Sequence, residues 1–494
     1  MSVGQSIRKG IAWLLVGNSG SQVLQFVFGI VLARILVPAD FGMVVTVQIF
    51  TGFVGMLTSG GMGQSLVRAK AVTDDDFNSV FTVQLVVGIV VFIGFFALAP
   101  WLAVYLEDLR YRDLIRVSAV SFLLRPYAQT RASWLNREMQ LDKRAKVTLS
   151  STALSGVTSI AMAYAGMGVW SLILAGLVGA LAMNALYALA TPLRLRPRFD
   201  RDAIRLHSGY GLRITTNEFL AYVKEQSVNL ILSKSAGPAQ LGLFSKADGL
   251  SRLPNRLITP PTGQTVFRAM SKVQDDLDQT KYMFYRTVAL LTVYIGPALV
   301  SLWWVAEPLI EVLYGRRWLP AAEPMKVLIL AAFLRPVRTP SAVVLAAQNR
   351  LGEEMVALAI SLVLAIAACI VGLQWGLIGV AWALVADATF LAIYYYVLAY
   401  QVLPTRFMDL LKALAPGLLL SALVGLVLAG VHFGFAGRIK ASLPIVYLGI
   451  LGAAGLAVYL VGFFLFPIEV LRSESRRWRD ASGRALRAAC RVLS

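Results

Sequence analysis

The stretch Leu32-Ala-Arg-Ile-Leu-Val-Pro-Ala-Asp-Phe-Gly42 aligns with Leu232-Ser-Lys-Ser-Ala-Gly-Pro-Ala-Gln-Leu-Gly242, 200 residues further along the chain. Two more pairs follow in the same order: Leu124-Arg-Pro126 with Leu334-Arg-Pro336, and Gly168-Val-Trp-Ser-Leu172 with Gly379-Val-Ala-Trp-Ala-Leu384. Each match is short, but three matches in one order are unexpected by chance. The sequence therefore predicts an internal duplication.

The composition indicates what kind of unit is duplicated. The 494 residues are 57% hydrophobic and only 15% charged, whereas a soluble protein carries about 25% charge. A helix needs about 20 mostly apolar residues to cross a bilayer. Ten stretches meet this need, and four more polar ones, 113–135, 209–233, 240–267 and 321–347, are included because the loop charges then alternate in order. The predicted fold is an all-α polytopic membrane protein with about 14 transmembrane helices. The predicted spans are 11–35, 41–66, 78–104, 113–135, 147–166, 169–190, 209–233, 240–267, 283–305, 321–347, 355–373, 376–400, 411–432 and 443–466.

The loop charges predict the orientation. Alternate loops, together with both termini, hold 26 lysines and arginines, and the loops on the other side hold 9. Cytoplasmic loops carry the excess of positive charge, so both termini are expected in the cytoplasm. The seven arginines of 472–491 predict contact with anionic membrane lipids. Because the basic residues lie beside apolar spans, the net charge of +19 does not indicate a nucleic-acid partner.

The repeat unit is six spans, an even number, so both copies have the same orientation. We expect two six-helix lobes related by a pseudo-two-fold axis along the membrane normal, plus two extra C-terminal helices. The corresponding segments are an N-lobe (1–192), a basic cytoplasmic linker (193–205), a C-lobe (206–402), the extra helices (403–468) and a basic tail (469–494).

Cations outnumber carboxylates inside the predicted spans. Eleven of the cations are Arg116, Arg125, Arg131, Arg213, Lys224, Lys246, Arg252, Arg256, Arg286, Arg335 and Arg338, and four of the carboxylates are Glu218, Glu225, Asp248 and Asp387. Each charge at bilayer depth costs about 3 kcal/mol, so these side chains should face protein or water. The excess predicts a basic cavity for an anionic ligand.

The span 209–233 has two polar faces. Arg213, Asn217 and Lys224 fall within about 40° of one another on a helix, and Glu218 and Glu225 lie on a second face. One interpretation is an anion site beside a carboxylate that responds to a coupling ion. The other is salt bridging within the membrane that only neutralises charge.

The span 240–267 carries Lys246, Asp248, Arg252 and Arg256. Asp248 and Arg252 have the spacing of a helix ion pair. Three prolines, Pro254, Pro260 and Pro261, predict interruptions of this helix, which are tolerated where a helix lines a wet cavity. We expect the cations to bind anionic ligand, with a helix end at the membrane interface as the alternative.

Further polar residues predict the lining of the cavity: Asn18, Gln22, Gln25, Gln48, Arg125 and Arg335. The amides alternatively join packed helices, and the two arginines alternatively reach toward the interface. Asp387 is alone in the span 376–400 and is a candidate proton-relay group, or else a partner of Arg335 or Arg338. Glu218, Glu225 and Asp387 are thus the candidates for coupling to a proton or sodium gradient.

No nucleotide-binding loop, zinc-ligand spacing or nucleophile elbow occurs in the sequence. We therefore expect no enzyme activity, no metal and no cofactor.

The stretch from Val31 to Gly42 resembles the end of the first helix in Wzx-type polysaccharide transporters of the multidrug/oligosaccharidyl-lipid/polysaccharide exporter superfamily. Met270-Ser-Lys-Val-Gln-Asp-Asp276 and Leu313-Tyr-Gly-Arg-Arg-Trp318 are similar to further pieces of that family, most of all its colanic-acid-type exopolysaccharide flippases.

This resemblance implies a flippase for undecaprenyl-diphosphate-linked oligosaccharide in the bacterial inner membrane, working by alternating access beside a polysaccharide polymerase and a chain-length regulator. It also implies a basic cavity lined by the first, second, seventh and eighth spans. Arg213, Lys224, Lys246, Arg252 and Arg256 are then the candidates for binding the diphosphate. Two alternatives stay open: a multidrug exporter of the same superfamily, which needs an acidic cavity, and a membrane glycan polymerase or ligase, which needs a long external loop.

Overall fold

The computed structural model describes residues 3–59, 62–69, 72–273, 275–348, 350–403, 406–440 and 442–465, and this part of the chain is helical without a β-strand. Side chains are described for these ranges except 3–12, 14–16, 18, 53, 54, 56–59, 206–218, 261, 264, 351, 435, 436 and 438. The all-α prediction is confirmed.

Twenty α-helices follow one another along the described chain. They are α1 (Val3–Ile35), α2 (Pro38–Ser59), α3 (Met62–Arg68), α4 (Asp74–Tyr105), α5 (Arg110–Ala119), α6 (Ser121–Arg137), α7 (Leu141–Tyr164), α8 (Val169–Ala190), α9 (Arg201–Ser235), α10 (Gly237–Ser251), α11 (Leu253–Lys272), α12 (Leu277–Trp304), α13 (Ala306–Tyr314), α14 (Ala322–Ala332), α15 (Arg335–Ala347), α16 (Leu351–Gly372), α17 (Gly376–Val402), α18 (Phe407–Val431), α19 (Gly437–Ile439) and α20 (Pro444–Leu465). Short 3-10 turns lie at Arg316–Ala321 and Leu373–Trp375, and a π-turn lies at His432–Ala436.

Apolar length alone accounts for part of the predicted spans. Six stretches of the described chain are long and apolar enough to cross a membrane, or seven if a bent pair of helices counts as one. One of the six, Gly352–Val402, contains both α16 and α17. The count of fourteen therefore stays a prediction, because charged residues lower the hydropathy of helices such as α9 and α11.

The chain divides into two compact units, Met1–Ser245 (unit 1) and Lys246–Ser494 (unit 2). In unit 1, α7 packs along α1 and α8, while α9 packs against α2, α3 and α4. A core of buried side chains, among them Met43, Val47, Tyr111 and Leu114, joins α2 to α4, α5 and α8. This packing holds α2 and α9 side by side, which positions the site described below.

In unit 2, α12 packs along α18, and α17 packs against α14, α15 and α16. A Cβ atom at Gly417 of α18 would lie 2.5 Å from Thr292 Cγ2 of α12, so the backbones approach as closely as small residues allow. The last helix, α20, packs on α18 through Tyr447 and Leu451. The two helices predicted outside the repeat are α18 and α20. They pack within unit 2, α18 against α12 and α20 against α18.

Two predicted spans at equivalent positions of the repeat are each broken into two helices. The span 113–135 consists of α5 and α6, which meet at Val120. The span 321–347 consists of α14 and α15, which are bent by 42°. The break predicted beside Pro254 is also present, because α10 ends at Ser251 and α11 begins at Leu253.

The prediction was wrong for Pro260 and Pro261, which lie inside the continuous helix α11. Proline removes one backbone donor per residue, and a membrane helix tolerates this loss where hydroxyl side chains and neighbours satisfy the carbonyls. The carbonyls that lose a donor are those of Arg256 and Leu257, while the Thr262 hydroxyl donates to the next carbonyl, that of Ile258, 2.8 Å away.

The aligned motifs that indicated the duplication pack against each other in unit 1. A Cβ atom at Gly42 would lie 1.7 Å from the carbonyl oxygen of Pro238, and one at Gly242 would lie 2.0 Å from the carbonyl oxygen of Pro38. Both glycines are buried. The contact is therefore reciprocal, and each half requires the glycine of its own motif.

Candidate functional site

Two glycines open one side of α2 in unit 1. A Cβ atom at Gly52 would lie 2.3 Å from Tyr222 Oη, and one at Gly55 would lie 1.5 Å from Arg125 Nη1. A phenol from α9 and a guanidinium from α6 thus occupy the space that side chains would fill. We call the surface formed by Gly52 and Gly55 the α2 notch.

Tyr222 fixes α9 to α2 at the notch. Its hydroxyl lies 3.0 Å from the carbonyl oxygen of Gln48 and 2.8 Å from that of Ile49, so its one hydrogen is shared between two acceptors. The sequence did not single out Tyr222. The spacing of Gly52 and Gly55, which places two small residues on neighbouring parts of one helix surface, is the signal that could have found the notch.

Arg125 lies at the notch without an acidic partner. It is exposed, and no salt bridge joins it to a carboxylate among the side chains that the structure describes. Its Cζ atom lies 6.0 Å from the centroid of the Phe122 ring, at the outer limit of a cation–π contact. Arg335, its equivalent in the repeat, is half-buried in unit 2.

The other residues predicted in unit 1 have different surroundings. Gln22, Gln25, Gln48 and Glu225 are exposed, and Lys224 is half-buried. The side chains of Asn18, Arg213, Asn217 and Glu218 lie outside the described residues. The structure thus gives environments for Lys224 and Glu225 on α9, and their predicted roles stay predictions.

In unit 2 the expected pair of Asp248 and Arg252 is confirmed. Arg252 Nε lies 2.5 Å from Asp248 Oδ1, and each side chain is 22% exposed. Arg256, one turn further on, is exposed. Lys246 has aromatic neighbours, since its Nζ atom lies 5.1 Å from the Tyr314 ring centroid and 5.8 Å from that of Trp318.

Asp387 is buried in α17 of unit 2 with 7% of its surface exposed. The hydroxyl of Ser361 on α16 donates a hydrogen bond to its Oδ1 atom. Ser361 was not among the predicted residues, and nothing in its apolar surroundings marks it. Arg338, one of the two expected partners, lies with Cζ 5.6 Å from the centroid of the Tyr395 ring.

Metal chemistry finds no support in the described part of the chain, where no group of three or more His, Cys, Asp or Glu side chains suits a metal ion.

Helices that are long and apolar, and that carry more cations than carboxylates, define a multi-pass α-helical membrane protein. The chain belongs to the polysaccharide biosynthesis protein family, whose model matches residues 31–323.

Similar proteins agree with this assignment. The chain is 26% identical to the succinoglycan biosynthesis transport protein ExoT of Rhizobium meliloti (strain 1021), over 68% of this chain and 67% of the relative. It is 22% identical to the lipopolysaccharide biosynthesis protein WzxC of Escherichia coli (strain K12), over 87% of this chain and 90% of the relative. Among solved structures, the fold is similar to that of the lipid II flippase MurJ in an inward closed conformation, with a TM-score of 0.72, 15% identity, and coverage of 91% and 97% of the two chains.

Proposed function

We propose that the protein is a flippase that moves undecaprenyl-diphosphate-linked oligosaccharide repeat units across the bacterial inner membrane by alternating access. The product serves the synthesis of exopolysaccharide, capsule or O-antigen. Membership of the polysaccharide biosynthesis family supports the pathway. The observation that carries the substrate class is the excess of cations over carboxylates in the predicted spans.

The energetics explain why such a substrate needs these cations. A diphosphate bearing a hydrophilic glycan cannot cross about 30 Å of hydrocarbon unaided, because its hydration is lost. Guanidinium and ammonium groups replace hydration and counterions with charge-assisted hydrogen bonds. The polyprenyl tail remains in lipid throughout, so only the head group requires a polar path.

The two alternatives receive less support. A multidrug exporter of organic cations needs carboxylates to attract its substrate, and the charges here have the opposite sign. A polymerase or ligase is an enzyme, whereas the relative from Rhizobium meliloti is named as a transport protein. We therefore propose transport without catalysis, with polysaccharide polymerase and chain-length regulator as partners.

The diphosphate candidates differ in what already compensates their charge. Arg256 is exposed and has no salt bridge to a carboxylate within the described residues. Arg252 is held by Asp248, and Lys246 lies against two aromatic rings. We accordingly rank Arg256 first in unit 2 and Lys246 last, with Arg213 and Lys224 as the candidates on α9.

Coupling to a proton or sodium gradient is proposed for Asp387, Glu225 and Glu218. The buried position of Asp387 supports its candidacy, because an ionised carboxylate in apolar surroundings requires a cation or a proton.

The deciding experiment is depletion of the protein in its own host, followed by extraction of the membrane lipids. We expect a polyprenyl-diphosphate-linked oligosaccharide to accumulate on the cytoplasmic face, where added glycosidase in inside-out vesicles digests it. Absence of any lipid-linked glycan after depletion contradicts the proposal.

The orientation has its own test, which is cysteine labelling in intact cells. Gly315 has φ of 95° and accepts a side chain poorly, so Arg317→Cys is the better external probe. We expect a membrane-impermeant thiol reagent to label Arg317→Cys and to miss Arg194→Cys until the cells are permeabilised; both positions are exposed. The reverse pattern contradicts cytoplasmic termini.

A further inference from the structure

Arg125 of unit 1 carries a positive charge that no carboxylate among the described side chains pairs with. It lies near the middle of the predicted span 113–135, at the start of α6 just after the break at Val120. No acidic residue precedes it by one helical turn, where Ser121 stands. A cation at this depth costs about 3 kcal/mol, and none of the carboxylates whose side chains are described offsets that cost with a salt bridge.

Reach toward the membrane interface does not account for it. An arginine that escapes the hydrocarbon extends its side chain along the helix axis, toward the head groups. Arg125 instead extends across to α2, where Nη1 occupies the place of a side chain at Gly55. Gly55 itself lies near the middle of the predicted span 41–66, so the guanidinium stays at that depth.

The seat for the guanidinium is built by several elements. Gly55 gives it space, and Tyr222 on the adjoining Gly52 pins α9 to the carbonyls of Gln48 and Ile49. The tyrosine hydroxyl has used its hydrogen on those carbonyls, so Tyr222 is a positioning residue. Arg125 as a whole residue nevertheless remains exposed, so the notch does not enclose it. Since lipid cannot stabilise it, its open side must face water or a polar ligand.

We propose that Arg125, seated in the α2 notch, binds the diphosphate of the substrate in unit 1. This inference rests on the proposed flippase function and assigns the head-group contact to a residue outside α9, α10 and α11. A guanidinium presents a planar fork of donors that matches two phosphate oxygens, whereas an ammonium presents a point charge. The α2 notch holds the guanidinium in position before the ligand binds, which lowers the conformational entropy lost on binding.

Binding of farnesyl diphosphate to the purified full-length protein tests the proposal, with farnesol as the uncharged probe carrying the same tail. We expect wild type to bind the diphosphate more tightly than farnesol. Arg125→Ala should weaken diphosphate binding about tenfold or more and leave farnesol binding unchanged. Arg125→Lys should show a smaller loss, because it keeps the charge without the fork.

Gly55→Ala provides a second variant that keeps the arginine and removes its seat. Its matched control is Gly94→Ala, because a Cβ atom at Gly94 of α4 meets nothing within 4 Å. We expect Gly55→Ala to weaken diphosphate binding as Arg125→Ala does, and Gly94→Ala to bind as wild type. Elution of each variant as a single species on size exclusion establishes that it is folded, and Arg125→Lys and Gly55→Ala remain informative where Arg125→Ala is not.

The outcomes test the proposed transport function and the role of Arg125 separately. If wild type binds farnesyl diphosphate and farnesol equally, and depletion accumulates no lipid-linked glycan, the proposed function fails. If wild type prefers the diphosphate while Arg125→Ala and Gly55→Ala retain that preference, the function stands and the role of Arg125 is overturned. If Arg125→Ala loses diphosphate binding while Gly55→Ala binds as wild type, the positioning role of the α2 notch is overturned.

Discussion

Arg125 in unit 1 and Arg252 in unit 2 place the same group at a helix break in two different ways. Arg252 has Asp248 one turn earlier, 2.5 Å away, and is 22% exposed. Arg125 lies in a glycine notch, has no salt bridge to a carboxylate among the described side chains, and is exposed. The protein therefore compensates one cation internally and leaves the other available. A cation within a membrane span that is paired with a carboxylate indicates a structural role. A cation that a notch holds in place without such a carboxylate indicates a ligand-binding role.

The largest effect is expected on transport from Arg125→Ala. Removal of this cation leaves none of the described carboxylates unpaired, so the protein should reach the membrane at the wild-type level while export falls by an order of magnitude or more. Polysaccharide release and membrane protein level are measured together. Full export by Arg125→Ala at normal protein levels would contradict the proposal that Arg125, unlike Arg252, is available to bind the substrate.

Arg252→Ala should act on stability before transport. It leaves Asp248 half-buried without its partner, which costs about 1–3 kcal/mol and lowers the amount of protein in the membrane. The double variant Asp248→Asn with Arg252→Gln removes both charges and should restore the protein level. Export then decides between two roles: full recovery makes Arg252 a structural partner only, and absent export at normal levels supports contact with the diphosphate.

The comparison of Arg125 with Arg252 extends to an anionic side chain, because Asp387 is a buried carboxylate in unit 2. Asp387→Asn keeps the shape and the Ser361 contact but cannot ionise, so export should lose its dependence on external pH or sodium. Glu225→Gln, on exposed Glu225, is the parallel variant. Wild-type dependence in both variants, and in Glu218→Gln, would exclude the proposed coupling.

The smallest effect is expected at Glu307, in the predicted external segment of unit 2. Its carboxyl contacts Lys326 Nζ at 2.6 Å and Lys440 Nζ at 2.5 Å. Hydrogen bonds from these two ammonium groups lower the pKa of Glu307 to about 2. The folded pKa lies below the unfolded one, so the contribution to stability is complete above about pH 4.5 and is lost as pH falls toward 2.

Thermal unfolding of purified protein between pH 7 and pH 3 checks this expectation. Wild type should lose Tm below about pH 4.5, and Glu307→Gln should lose less over the same interval, from a lower starting value. Glu311→Gln is the matched control on the same helix, because Glu311 pairs with Arg316, which is 84% exposed, and contributes little. Equal slopes for Glu307→Gln and wild type contradict the assigned pKa.

The sequence predicted the class of fold and the position of the cations, because both follow from residue type. Apolar runs define membrane helices, and a charge inside one is visible at once. The pair of Asp248 and Arg252 was predicted as well, since its partners are one turn apart on a single helix.

What the sequence could not give depends on contacts between helices far apart in the chain. Tyr222 meets the carbonyls of Gln48 and Ile49, and Ser361 meets Asp387, through packing that no local pattern encodes. The break at Val120 has no proline at the junction, whereas α15 begins with Arg335 and Pro336 directly after the break from α14. The prolines that seemed decisive, Pro260 and Pro261, are absorbed into α11. Local propensity thus fails to place a helix break at these two prolines.

The reciprocal contact of Gly42 with Pro238 and Gly242 with Pro38 has the form of the interface in a symmetric homodimer, in which one patch meets its own copy. A surface that fits itself needs a single gene to supply both sides. Duplication and fusion of that gene keeps the fit while freeing each half to change. Asp40 and Gln240 now occupy matching positions of the motif, and so do Arg34 and Lys234. The join between the two motifs can thus be older than the chain that now contains both.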